Sequence, residues 1–96
     1  MDIEEKQTNH SQFMAISKEA HELRWKKFLL YGDSYKLFSL LGIYIRMNDK
    51  MARIKTIIEH PGYDLNDERL RDSLIDLSNY SIMAVMEVDD GKHKKI

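Results

Sequence analysis

Arg71-Asp72-Ser73-Leu74-Ile75-Asp76-Leu77-Ser78-Asn79-Tyr80 runs without a break into Ser81-Ile82-Met83-Ala84-Val85-Met86. The stretch reads as one helix. Leu70, Leu74, Leu77, Ser81, Ala84 and Val88 recur at helical spacing and make one apolar stripe. Ile75, Ile82, Val85 and Met86 add a second, so little of the circumference is left for water. Asp72, Asp76, Asn79 and Met83 nevertheless share a line, because residues three and four apart lie on one face. Two carboxylates and an amide thus project from a helix that is apolar almost all round. An unpaired buried carboxylate is costly, so these acids need bases, a metal ion or a water-filled cleft. The chemistry of the chain is expected on this helix.

The helix is predicted over 67–88. Asp64 or Asn66 caps it, Asp67 and Glu68 suit its first turn, and Asp89-Asp90-Gly91 ends it. Upstream, His60-Pro61-Gly62 closes a helix predicted over 43–59, with Ile43, Met47, Ile54, Ile57 and Ile58 facing inward. His60 suits the negative end of that helix. Arg46, Asp49, Lys50 and Arg53 fall on a neighbouring strip. Three cations around one acid read either as a solvated face, where ion pairs contribute little, or as a phosphate site with Asp49 left for a metal.

Tyr31-Gly32-Asp33-Ser34-Tyr35 breaks the periodicity. Gly32 permits a positive φ, and Asp33 or Ser34 can cap a short helix over 35–41 that stops near Gly42. The loop is a capped turn, or Asp33 and the two tyrosines line a pocket. A first helix is predicted from Ser11, as N-cap, to Leu30, with Phe13, Ile16, Ala20 and Leu23 inward. Glu22 and Lys26 stand four apart in the favourable order. Glu19 and Glu22 form an E-x-x-E pair that suits a divalent cation or a plain acidic edge. His21-Glu22 has no second histidine at Trp25, so the zinc-protease helix motif is absent.

Ninety-six residues with 43% apolar content, one proline and four glycines fit one small all-α domain. The expected architecture is a small helical bundle of three longer helices plus one short helix. A disordered tail over 1–10, a single helical domain over 11–90 and a basic tail over 91–96 complete the plan. A core this size buries roughly 60–70% of the unfolded surface, and wide apolar faces in so short a chain predict a homo-oligomer. The formal charge of −1 excludes a strongly basic nucleic-acid binder. The chain contains no cysteine, which excludes disulfides and thiolate zinc sites. No apolar run approaches the ~20 residues of a membrane span, so a soluble, cytoplasmic protein without a membrane partner is expected.

Three motifs then occur in order: Tyr31-Gly32-Asp33-Ser34-Tyr35, Asp49-Lys50-x-x-Arg53, and Asp72-Ser73-x-x-Asp76-Leu77-x-Asn79-Tyr80. Together, over about residues 24–88, they resemble the small helical "nucleotide modification associated" domain, first type, common in phages and prophages. Leu30 stands where the family usually has an acid, leaving Asp33 as its substitute, and Ser73 replaces a threonine. The family's layout is similar to the all-α nucleotide pyrophosphatases of the MazG type, which hold magnesium against a triphosphate.

The resemblance implies magnesium on Asp49, Asp72 and Asp76, with Arg46, Lys50 and Arg53 on phosphate. Asn79 would orient a ligand or read a base, with Tyr31, Tyr35 or Tyr80 stacked on it. The implied activity is a magnesium-dependent nucleoside triphosphate pyrophosphohydrolase, in the host cytoplasm if phage-encoded. One alternative is a non-catalytic helical oligomer that sequesters a nucleotide or cyclic-nucleotide immune signal. Another is a structural protein in which Asp72, Asp76, Arg46, Lys50 and Arg53 form a buried ion-pair network, with Asp76 on Arg53.

Overall fold

The computed structural model describes residues 1–32, 39–63 and 67–91. It is all-α: α1 spans Ile3–Tyr31, α2 Ser39–Glu59 and α3 Asp67–Asp89, with a 3-10 turn at Pro61–Tyr63 between the last two. The chain divides into two compact units, Met1–Gly32 and Asp33–Ile96.

The first unit is α1. It starts eight residues before the Ser11 cap expected for it, and the stretch read as a tail is its first two turns. Asp2 is the cap: its carboxylate accepts from the Glu5 N–H at 2.8 Å, and Glu4 and Glu5 favour the positive helix end. At the other end Gly32 takes φ 63° and donates its N–H to the Phe28 carbonyl at 2.7 Å. Of the stripe expected inward, Ala20 is buried and Leu23 half-buried, but Ile16 is exposed and Phe13 is 67% exposed. The reason is local. Ile3, Phe13, Met14, Trp25, Leu29 and Leu30 are scattered round the circumference, and a unit of one helix has no second layer of its own to cover them.

The second unit is the α2–α3 pair. The predicted short helix over 35–41 and the stop at Gly42 are replaced by one continuous α2, with Gly42 buried in its interior and residues 35–38 outside the described residues. A single interior glycine costs about 1 kcal/mol, which the surrounding helix formers and packing absorb. His60-Pro61-Gly62 ends the helix as expected, and α3 begins at Asp67 as read from the sequence.

The two helices run antiparallel. Ile43 packs on Met83, with Met47, Tyr80 and Ala84 around them, and Lys50 meets Asp76 two turns further along. The same register places Arg46 beside Tyr80 and Ser39 at the level of Glu87.

The face that α3 turns inward is the unexpected one. Its buried residues are Ser73, Ile75, Asn79, Met83 and Glu87. Leu74, Ile82, Val85, Met86 and Val88, read as apolar faces needing cover, are exposed. Of the line Asp72, Asp76, Asn79 and Met83, the last three lie on the side turned to α2, whereas Asp72 is exposed. On α2, Ile43 and Ile54 are buried as expected, whereas Ile58 is 64% exposed. No described helix is long and apolar enough to cross a membrane.

Candidate phosphate-binding hollow

Asp49 and Lys50 each stand three or four residues from both Arg46 and Arg53 on α2, so one face carries all four. Tyr80 reaches the same space from α3. These five residues line a hollow of about 360 Å³, within the usual range for small-molecule sites. Lys50 is held in it by Asp76 of α3, Nζ to Oδ2 at 3.0 Å, with the two side chains only 26% and 17% exposed. Partial burial of this pair cuts solvent screening and makes it stronger than a surface bridge. Asp76 therefore anchors Lys50 across the helix interface.

The other predicted residues are placed as follows. Asn79 is buried on the inward face of α3, where it makes a polar interaction of its own. Asp72 is exposed. Tyr31 belongs to the first unit, and Asp33 and Tyr35 lie outside the described residues. Glu22 pairs with Lys18 on the surface of α1 at 3.9 Å. Among the described residues no three acids or histidines gather as a metal-holding group, so Asp49, Asp72 and Asp76 do not form a ready triad. The donor set at the hollow is one carboxylate, Asp49, among three cations. It does not fit a protein-held magnesium, which wants several oxygen ligands.

Two polar residues escaped the sequence reading. Glu87 is 1% exposed, and among the described residues neither carboxylate oxygen has a hydrogen-bond partner; the buried Ser39 hydroxyl lacks one there too. Ser39 also takes φ 56°, a strained value for a residue with a side chain. The signal for Glu87 was present: it continues the line of Asp76, Asn79 and Met83 by one turn.

A small all-α protein with a cation-lined hollow between two antiparallel helices is the class these features define. The chain belongs to the nucleotide modification associated domain 1 family, whose model matches residues 27–88, from the last turns of α1 through α2 and nearly all of α3. No curated protein and no solved structure gives a significant match. The likeness to MazG-type pyrophosphatases therefore draws no support from these comparisons.

Proposed function

We propose that the protein binds a phosphorylated nucleotide in the α2–α3 hollow. Arg46, Lys50 and Arg53 take the phosphates and Tyr80 packs against the base or sugar. The observation that carries this reading is the convergence of three cations and one aromatic ring on a single space of about 360 Å³. Arginine offers a planar fork to two phosphate oxygens at once, and lysine supplies a point charge. Asp76 fixes the lysine before the ligand arrives, which lowers the entropy lost on binding. Asp49 offsets part of the positive charge and sets the arginines apart. The family's association with nucleotide modification agrees with a nucleotide ligand.

Binding, rather than pyrophosphohydrolysis, is the activity these residues support best. The described residues hold no metal-binding group of three, and the reading includes no step through magnesium. Incubation of the protein with a panel of ribo- and deoxynucleoside mono-, di- and triphosphates, with and without magnesium, tests it by calorimetry and by chromatography of the recovered ligand. Binding that needs phosphate, persists without magnesium and returns the ligand intact is expected. Release of pyrophosphate would replace the reading with the hydrolase. Failure of every nucleotide to bind would leave the Lys50–Asp76 pair as a purely structural bridge, the reading its low exposure favours next.

A further inference from the structure

We propose that α3 pairs antiparallel with the α3 of a second copy of the chain. Leu70, Leu74, Leu77, Ser81, Val85 and Val88 form a stripe on the side of α3 away from its buried residues, and Leu74, Val85 and Val88 are exposed on it. Three exposed apolar residues, in line with the half-buried Leu70, Leu77 and Ser81, offer a contact surface. Its spacing suits a helix partner, and its pattern suits its own reverse. Turned end for end about a two-fold axis near Asn79, Leu74 meets Val85, Leu77 meets Ser81 and Leu70 meets Val88. Each large side chain then faces a smaller one, so the stripes interdigitate.

The charges agree with the same axis. Arg71 and Asp89 are both exposed, and eighteen residues, about five full turns, place them on one flank of the stripe. In the antiparallel pair the Arg71 of each copy comes to the Asp89 of the other, once at each end. A parallel pair would put the two copies of this flank on opposite sides of the contact and leave Arg71 and Asp89 without each other. Tyr80 lies about 100° round the helix from Ser81, so the pairing leaves the hollow open. The stripe runs for roughly 27 Å, so the contact is a small one. Nothing in this inference depends on a nucleotide being bound.

Sedimentation of the full chain without nucleotide, from about 5 to about 500 µM, tests it. A reversible monomer–dimer equilibrium is expected. Leu74→Glu should abolish the dimer while circular dichroism keeps its helical signal. Arg71→Asp alone and Asp89→Arg alone should each raise the dissociation constant about tenfold, and the double exchange should restore it. A monomer at the highest concentration overturns the proposal. So does a dimer indifferent to the single reversals, or one that the double exchange does not rescue.

Discussion

Lys50 and Asp76 are the residues on which the helix pair and the proposed site both depend. Their 3.0 Å bridge crosses from α2 to α3 with little exposure, so removing one partner leaves the other charge poorly solvated. Asp76→Asn is expected to lower stability by about 1–3 kcal/mol, less than for a fully buried pair because some water still reaches both ends. Replacing both, Lys50→Met with Asp76→Leu, should recover much of the loss. Urea denaturation of the wild type, Lys50→Met, Asp76→Leu and the double variant closes a double-mutant cycle, and a coupling near zero would show that the bridge contributes nothing. Glu87 is the opposite case. Its carboxylate is buried without a hydrogen bond among the described residues, and the start of α2 at its level, whose dipole favours an anion, offsets only part of the desolvation. Glu87→Gln keeps the shape and removes the charge. A gain of about 1 kcal/mol is expected, seen as a rise of roughly 4–8 °C in melting temperature. A fall would mean that the dipole outweighs the burial.

At the scale of the helices, local chemistry made some boundaries legible and left others hidden. The start of α3 at Asp67 and the end of α2 before His60-Pro61-Gly62 follow from caps and breakers, which act within a turn of chain. The start of α1 was missed because Glu4-Glu5-Lys6-Gln7 carries no apolar period, although Asp2 can cap it and these residues favour helix. The inward side of α3 was missed for another reason. Periodicity tells which residues share a face, but not which face meets a neighbour, and here the more apolar stripe is the exposed one. Two glycines separate backbone need from space. Gly32 ends α1 at φ 63°, where a side chain is strained, yet a Cβ there would touch nothing within 4 Å. Gly32→Ala should therefore cost about 1–3 kcal/mol through the backbone alone. Gly62 meets equally open space without a positive φ, so Gly62→Ala should be neutral or slightly stabilising. Thermal melts of the two variants side by side decide it. Equal losses would remove the conformational argument.

For the whole molecule, the decisive feature is that a chain of net charge −1 gathers three cations round one hollow. That strip was legible in the sequence because all its charges lie on one helix, where spacing fixes the face. The supposed magnesium triad was not, because bringing Asp49 to Asp72 and Asp76 depends on the register between two helices. The register that forms gives Asp76 to Lys50 and leaves Asp72 exposed. Attraction for a phosphate must then be local, since the molecule as a whole offers no long-range positive field. At 0.1 M salt the screening length is about 10 Å, comparable with the size of the hollow, so added salt weakens the contacts of the outer phosphates first. A triphosphate, carrying more charge to the exposed Arg46 and Arg53, should lose about tenfold in affinity between roughly 0.05 and 0.5 M sodium chloride, and a monophosphate only a few-fold. Arg53→Ala should flatten the triphosphate curve towards that of the monophosphate and leave the melting temperature nearly unchanged, because its side chain is exposed. Calorimetric titrations at four salt concentrations measure both slopes. Equal slopes for the two ligands would mean that their phosphates do not lie along the Arg46–Arg53 strip.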